Sequence, residues 1–263
     1  PEALYPSWVK YNRTFGGLSG NWVIAIREQA ATARRARAIW AASWRAESNQ
    51  ENFGVSWTRD NGETWRTALL GERIYDFAFR GDTVYAVGTN GLFISPDGGE
   101  TWLNRRSIRD ALNPRKFIRA QAEFYALCFE PFGTNGRLWL GSEDGTALST
   151  DGGNSWKIFR ADLATDEKTK TYAYPNPFAP RIDGVVRIRY QLSRPASVTI
   201  RIFDFAMNPV RTLIQSQLRP AGEDEDVWNG QSDTGVRVAN GVYFYSIEIA
   251  GEAPLRGKIL VLE

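Results

Sequence analysis

Three stretches of the chain repeat one pattern: TRDNGETW at 58–65, SPDGGETW at 95–102 and STDGGNSW at 149–156. Each has a hydroxyl residue, then Asp two positions later, Gly two positions after that, and a hydroxyl residue followed by Trp. The starts at 58, 95 and 149 lie 37 and then 54 residues apart. A constant motif at unequal spacing predicts repeated supersecondary units joined by connections of different length.

Short apolar runs precede each of these motifs. They are rich in β-branched and aromatic residues and are bounded by Gly, Asn and Asp, a composition typical of β-strands. With the segment after each Trp, they predict four strands per repeat, and tandem four-stranded units are typical of a β-propeller. The clearest runs occupy 22–26, 39–42, 74–79, 84–88, 91–94, 124–129 and 138–141.

The motif resembles the Asp-box repeats of sialidase-like propellers, which also occur in xyloglucan-cleaving glycosidases, sortilin-type receptors and photosystem assembly factors. The resemblance implies a hairpin between the third and fourth strands of each blade. In such a hairpin the Asp accepts hydrogen bonds from turn amides, Gly supplies a positive φ, and Trp packs between blades. We therefore expect structural roles for Asp60, Gly62, Trp65, Asp97, Gly99, Trp102, Asp151, Gly153 and Trp156.

Three blades are fewer than the usual four to eight, so residues 1–160 are expected to form a partial propeller. The segment around Trp8 resembles the end of a blade whose front is missing. This makes about three and a half blades, and the chain is expected to be the C-terminal part of a longer precursor or to be completed by another protein chain.

A polar stretch at 161–171 reads as a linker, and residues 172–263 predict a second domain. About seven short alternating strands with turn signals predict an Ig-like β-sandwich, with Trp228 as its core anchor. The run Glu223–Asp226 is expected to form a solvated turn, although acidic loops of this kind can also bind calcium. The fold class is thus all-β.

This second half resembles the C-terminal sorting domain of type IX secretion substrates and the related Ig-like domain of flagellar hook-capping proteins. The resemblance rests on the YPNPF segment at 174–178, the Trp228-Asn229-Gly230 corner and the closing strand. Asn208-Pro209, where a Gly-rich turn is usual, and Asn229, where Asp is common, depart from the pattern. The alternative is a simple spacer domain. The motif residues singled out are Tyr174, Pro175, Asn176, Pro177, Phe178, Gly241, Tyr243 and Lys258.

Composition excludes much familiar chemistry. The chain has 263 residues and no histidine, so Ser-His-Asp catalysis and His-ligated metals are excluded. The single cysteine, Cys128, cannot form an intrachain disulfide and is expected to be buried. A formal net charge of +2 indicates no nucleic-acid partner, and no apolar run is long enough to span a membrane. We expect no cofactor and no metal.

Two connections carry candidate ligand-binding residues. Trp44 and Arg45, between the second and third strands of the first repeat, suit stacking on a sugar or a partner side chain. The connection from 104 to 122 is rich in cations that suit carboxylate, sulfate or phosphate groups, although such a loop can equally be solvated. Its cations are Arg105, Arg106, Arg109, Arg115, Lys116 and Arg119.

Three functions follow from these patterns. The first is a non-catalytic secreted or cell-surface binding protein, with a partial propeller as interaction module, the sorting domain as its address, and the type IX export machinery and a surface glycan or protein as partners. The second is the tail of a secreted propeller glycosidase, for which the sequence shows no paired acids; the candidates are Glu47, Glu51, Asp110 and Glu123. The third is a structural subunit of a cell-envelope assembly.

Overall fold

The computed structural model describes residues 17–46, 49–160 and 170–263. They form two compact units. The first contains the described residues up to Leu112 together with Ala122–Arg160, and the second contains Asn113–Gln121 together with the residues from 170 onward. The segment around Trp8 and most of the predicted linker lie outside the described residues. Within the described part of the chain, no helix is both long and apolar enough to cross a bilayer.

The first unit is built from three four-stranded antiparallel sheets, each a meander of strands in sequence order. We call these sheets the first, second and third blade. The first blade contains β1 (Trp22–Gln29), β2 (Ala38–Trp44), β3 (Gly54–Thr58) and β4 (Arg66–Ala68). The second contains β5 (Ile74–Arg80), β6 (Thr83–Gly88), β7 (Gly91–Ser95) and β8 (Leu103–Arg105). Two short strands follow: β9 (Ile108–Arg109) belongs to the first unit and β10 (Phe117–Ile118) to the second. The third blade contains β11 (Phe124–Glu130), β12 (Arg137–Ser142), β13 (Gly145–Ser149) and β14 (Lys157–Phe159).

Successive blades pack face to face through apolar and aromatic side chains. Trp40 and Trp57 of the first blade stack at 4.7 Å between ring centroids, and both are buried. They share one core with Phe77, Ala86 and Phe93 of the second blade. Burial of this apolar surface is the main stabilising contribution to the pairing of blades.

The second unit is a β-sandwich. Its three-stranded sheet has the order β15 (Thr171–Tyr174), β16 (Val186–Leu192) and β19 (Gly222–Trp228). Its four-stranded sheet has the order β18 (Pro209–Arg219), β17 (Ala196–Phe203), β20 (Gly241–Ile249) and β21 (Leu255–Val261). A four-residue helix, α1 (Pro180–Asp183), precedes β16. Both sheets contribute to one core around the fully buried Trp228. The predicted fold class, an all-β chain with propeller-type blades and then a β-sandwich, is confirmed.

Two expectations about single segments are wrong. The acidic run Glu223–Asp226 is not a solvated turn but part of strand β19, where three of its carboxylates are buried beside arginines. Cys128 is exposed rather than buried, because it lies on the face of β11 that none of the described blades covers. In both cases the apolar or polar character of the local sequence suggested the opposite environment.

Candidate functional site

Each repeated motif forms the turn between the third and fourth strands of its blade and is held by the same hydrogen bonds. In the third blade the Ser149 hydroxyl donates to Asp151 Oδ1 at 2.7 Å and accepts from the Gly153 amide at 2.8 Å. Ser155 donates its amide to Oδ1 of the same carboxylate at 2.9 Å and its hydroxyl to Oδ2 at 2.6 Å. The first and second blades repeat this arrangement at Asp60 and Asp97.

These hydrogen bonds stabilise the ionised form of the aspartates. Donation from Thr64 and Thr58 lowers the pKa of Asp60 to about 2, and donation from Thr101 lowers the pKa of Asp97 to about 2. For Asp151 burial opposes the effect, but the bonds from Ser155 and Ser149 still lower its pKa. A carboxylate that is ionised and fully engaged at neutral pH is suited to hold a turn and not to transfer protons.

The glycine of the motif contacts the preceding blade. Gly99 has a φ of +103°, and a Cβ there would lie 2.6 Å from Trp40 Cη2. A Cβ at the equivalent Gly153 would lie 3.3 Å from Ile94 Cδ1 of the second blade. Trp102 and Trp156 donate their indole N–H to the carbonyls of these two glycines. The motif therefore closes its own turn and also packs against the neighbouring blade.

A row of aromatic side chains crosses one end of the blades, where β1, β5 and β11 begin. The ring centroids of Trp22 and Trp44 are 5.7 Å apart, those of Trp44 and Tyr75 are 5.4 Å apart, and those of Tyr75 and Tyr125 are 5.2 Å apart. All three contacts are edge-to-face. Trp22 and Tyr125 are 57% and 45% exposed, so the two ends of this aromatic row are open to a ligand.

A cation and a carboxylate flank the aromatic row. The guanidinium of Arg73 lies over the rings of Trp44 and Phe53, at 5.7 and 4.8 Å from their centroids. The Tyr75 hydroxyl donates to Glu123 Oε2 at 2.8 Å. Desolvation and the neighbouring Glu123 carboxylate raise the pKa of Tyr125 to about 12, so its hydroxyl remains a hydrogen-bond donor at neutral pH.

Of the two ligand residues predicted in the first blade, the structure places Trp44 within the aromatic row, while Arg45 is exposed after the end of β2. The sequence did not single out Tyr75, Tyr125 or Arg73. Tyr75 and Tyr125 lie at irregularities in the pairing of β5 with β6 and of β11 with β12. A β-bulge redirects a side chain, and no residue type announces this in the sequence.

The cations of the 104–122 connection do not belong to one unit. Arg105, Arg106 and Arg109 are exposed in the first unit. Arg115 and Arg119 belong to the second unit, as does the half-buried Lys116. Arg115 Nη1 is 2.7 Å from Asp224 Oδ2. Arg119 Nη1 donates to the Asp183 carbonyl at 2.7 Å.

The candidate acids serve mainly as hydrogen-bond acceptors. Glu51 accepts the amide of Ala46 and the side chain of Asn21 at 2.8 Å each. Asp110 is buried and accepts the amides of Leu112 and Ile158 at 2.9 Å. Glu47 lies outside the described residues, and among the described ones no group of three or more His, Cys, Asp or Glu side chains could hold a metal ion.

The motif residues of the second unit meet at its last strand. Asn176 accepts the Leu260 amide at 2.9 Å and donates to the Lys258 carbonyl at 3.0 Å. Phe178 is fully buried, and its backbone bonds to Leu260 and Leu262. The segment from 174 to 178 is therefore fastened along β21, with Tyr174 58% exposed beside it. Of the remaining motif residues, Gly241 opens β20 and the Tyr243 hydroxyl donates to the Ala239 carbonyl.

No protein-family model and no curated protein matches the chain. Three solved structures are similar along most of it. PorZ, an essential surface component of the type IX secretion system of Porphyromonas gingivalis, is 16% identical over 96% of this chain, with a TM-score of 0.36. An ancestral GH74 enzyme is 14% identical over 93%, with a TM-score of 0.40. Dimeric latent PorU of Porphyromonas gingivalis is 13% identical over 93%, with a TM-score of 0.28.

The chain spans only 32%, 26% and 29% of those three proteins. All three TM-scores are below 0.5, so the likeness to these proteins carries no argument about this chain's site.

Proposed function

We propose that the chain is a non-catalytic, secreted or surface-exposed binding protein that uses the aromatic row of its first unit to hold a surface glycan or a partner side chain. The observation that carries this proposal is the row itself: four rings in continuous contact, open at Trp22 and Tyr125, with Arg73 alongside. Exposed rings beside a guanidinium suit sugar faces and planar side chains.

Binding to a panel of immobilised polysaccharides and surface glycans tests this role. Replacing Trp22 and Tyr125 together by alanine is expected to weaken binding about tenfold, since each ring contributes about 0.5–1.5 kcal/mol. Phe132→Ala is the matched control, because Phe132 is 60% exposed on the same unit but lies outside the row. Equal affinities of the double variant and the parent would contradict the role of the row.

The repeated motifs are proposed to be Asp boxes with a purely structural role. Their carboxylates accept hydrogen bonds from their own turns, and Gly99 and Gly153 pack on the preceding blade, which supports this assignment. The glycosidase alternative has less support, because Glu51 and Asp110 are engaged by backbone amides. Hydrolysis of a polysaccharide that is lost on Glu123→Gln would favour that alternative instead.

The second unit is proposed to be an Ig-like sorting domain that the type IX export machinery recognises. The proposed domain bounds are 1–160 for the partial propeller, 161–171 for the linker and 172–263 for the sorting domain. The fastening of the YPNPF segment to the last strand supports this, because it places two of the resembling sequence pieces side by side. On this proposal the type IX export machinery is a binding partner of the chain, and the chain is delivered to the outer cell surface or the medium.

Export is tested by fusing a periplasmic reporter to the N-terminal end of the full chain in a bacterium with a working type IX system. The fusion is expected at the surface or in the medium, and Asn176→Ala is expected to leave it in the periplasm. Asn208→Ala is the control, since Asn208 bonds only within its own hairpin turn, to Asp204. Export that is unaffected by Asn176→Ala, or absent from the parent fusion, would count against the sorting role.

A further inference from the structure

A cavity of about 250 Å³ opens between the motif turns of the first two blades. It lies at the end of the strands opposite the aromatic row, because Arg35 stands between β1 and β2 and Arg59 follows β3. Ordinary ligand clefts begin at about 300 Å³, so this cavity suits one small group. Three arginines and one glutamate give its lining an excess of two positive charges. The lining residues are Arg35, Trp57, Arg59, Thr64, Arg66 and Glu100.

The half-buried Arg59 is fixed in this cavity by carbonyl groups. Its Nη1 donates to the Ala36 carbonyl at 2.7 Å and its Nη2 to the Gly98 carbonyl at 3.3 Å. Among the described residues no carboxylate forms an ion pair with it. Desolvation by burial and the charge of Arg35 lower the pKa of Arg59. Its positive charge is therefore disfavoured by its surroundings, and an anion in the cavity would stabilise it.

The other two arginines of the cavity share one carboxylate. Arg66 Nη1 is 2.5 Å from Glu100 Oε1, and Arg35 Nη1 is 3.9 Å from the same oxygen. The Arg35 side chain is 29% exposed and packs over Gly98, where a Cβ would lie 3.0 Å from its guanidinium carbon. The Glu100 carboxylate therefore marks a place where an oxyanion is held, and it neutralises only part of the surrounding positive charge.

The equivalent junction between the second and third blades shows that the repeat does not require these charges. There Arg80 lies over Gly152 as Arg35 lies over Gly98, with Nη1 2.9 Å from the position of a Cβ. The other charged residues of the cavity are replaced by uncharged ones. The residues equivalent to Arg59, Arg66 and Glu100 are Pro96, Leu103 and Asn154. The cluster of arginines is thus specific to the first junction and is not part of the motif itself.

We propose that the cavity binds a phosphate monoester group, with Arg35, Arg59 and Arg66 as its ligands. Such a group carries a charge of about −1.5 to −2 at neutral pH, which matches the excess of positive charge in the lining. The planar fork of a guanidinium also fits the oxygens of a phosphate better than a point charge does. This site is separate from the aromatic row and goes beyond the proposed binding function.

Calorimetric titration of the full chain with three ligands that differ only in their anionic group tests the proposal. The ligands are glucose 6-phosphate, glucose 6-sulfate and glucuronate. Glucose 6-phosphate is expected to bind about tenfold more tightly than the other two, because it carries a second negative charge. Inorganic phosphate is expected to compete with it for the same site. Tighter binding of the sulfate or the carboxylate, failure of inorganic phosphate to compete, or no saturable binding at millimolar concentrations would overturn the proposal.

Removing the cations one at a time locates the site. Arg35→Gln and Arg66→Gln are each expected to weaken binding of glucose 6-phosphate about tenfold, because each removes charge-assisted hydrogen bonds to the phosphate. Arg80→Gln is the matched control, since it removes the equivalent cation at the second junction with the same change in net charge. Thermal denaturation verifies that the variants are folded. An equal loss of affinity in Arg80→Gln would show that binding follows net charge alone and would overturn the proposal.

A variant that should gain affinity keeps the test decisive if the arginine variants do not fold. Glu100→Gln removes the carboxylate that competes for Arg35 and Arg66, and is expected to strengthen binding of glucose 6-phosphate about threefold or more. Glu63→Gln is its control, because Glu63 holds the same position in the first motif, is exposed and does not line the cavity. Affinities that are equal in these two variants would contradict a phosphate site beside Glu100.

Discussion

The two units of this protein hold their carboxylates in opposite ways. In the first unit Asp97 and Asp151 accept hydrogen bonds from hydroxyls and amides no more than four residues away, and these bonds lower their pKa values. In the second unit Asp226 is bound by Tyr190 and Arg219, 36 and 7 residues away. Burial, stronger there than the opposing contacts, raises the pKa of Asp226.

The buried network of the second unit extends on both sides of β19. Arg219 Nη2 is 2.7 Å from Asp226 Oδ1 and its Nε is 3.8 Å from Asp224 Oδ2. Toward the other side, Arg187 and Arg189 each lie 3.5 Å from Glu225. A short local motif can therefore keep a carboxylate charged, whereas a buried carboxylate depends on arginines that other strands of the fold place beside it.

The largest expected effect comes from breaking the buried network. Arg219→Met leaves Asp226 without its guanidinium in a site that is nearly closed to water, while Asp224 keeps Arg115 at 2.7 Å. The variant is expected to cost the sandwich about 3–5 kcal/mol in free energy of unfolding. Chemical denaturation, followed by hydrogen exchange in the second unit, measures this cost. The double variant Arg219→Met and Asp226→Asn should recover much of it. A cost below about 1 kcal/mol for the single variant would show that the network is not essential.

The next effect tests the local network of the first unit. Asp151→Ala removes the acceptor of the Ser149 and Ser155 hydroxyls and of the Ser155 amide, and is expected to cost about 1–2 kcal/mol. Hydrogen exchange should increase in residues 149–156, while the second unit stays protected. Ser155→Ala, which removes one of these donors, should cost less. Loss of hydrogen-exchange protection throughout the chain would mean that the motif stabilises more than its own turn.

Acidification should affect the two units differently. The folded pKa values of Asp60 and Asp97 are about 2, below the ordinary 3.8, so their stabilisation is complete above about pH 4 and is lost as the pH falls toward 2. The pKa of Asp226 is raised, so protonation of its carboxyl as the pH falls favours the folded state. Hydrogen exchange at successive pH values from 5 to 2 should therefore show the motif turns opening before β19.

The control for the pH experiment is the variant Asp60→Asn and Asp97→Asn, in which the exchange of the first two turns should depend much less on pH. If the parent's turns and β19 opened together over the same pH range, the contrast between the units would be refuted.

The smallest expected effect is the loss of an exposed ion pair, which serves as a reference for the buried pairs. Arg201 and Glu248 form an ion pair on the sandwich with 34% and 51% of their side chains exposed. Glu248→Gln is expected to change the free energy of unfolding by no more than about 0.5 kcal/mol, because solvent screens an exposed pair. Thermal denaturation at low and high salt measures it. A loss near that of Arg219→Met would remove the distinction between buried and exposed pairs.

Much of the fold could be predicted from residue patterns. The motif spacing predicted the blades, and alternating apolar residues predicted the strands of the sandwich and the burial of Trp228. The candidate site was only partly predictable. Trp44 was singled out, but Tyr75 and Tyr125 join it through irregular strand pairing, and Arg73 reaches it from the residue just before β5. The pairing of Arg115 and Arg119 with Asp224 and Asp183 also depends on contacts far apart in sequence.

The residue pattern alone specifies the turns of the three repeated motifs, because the hydroxyl, carboxylate and glycine of each motif interact within a few residues and need no distant partner. Only the tertiary structure decided which polar and apolar groups are covered. Asp226 is buried because β16 and β19 pair and Arg219 reaches it. Cys128 is exposed because, within the part of the chain that the structure describes, no sheet packs on its side of the third blade. Burial depends on what lies opposite a residue, and that information is distributed over the whole chain.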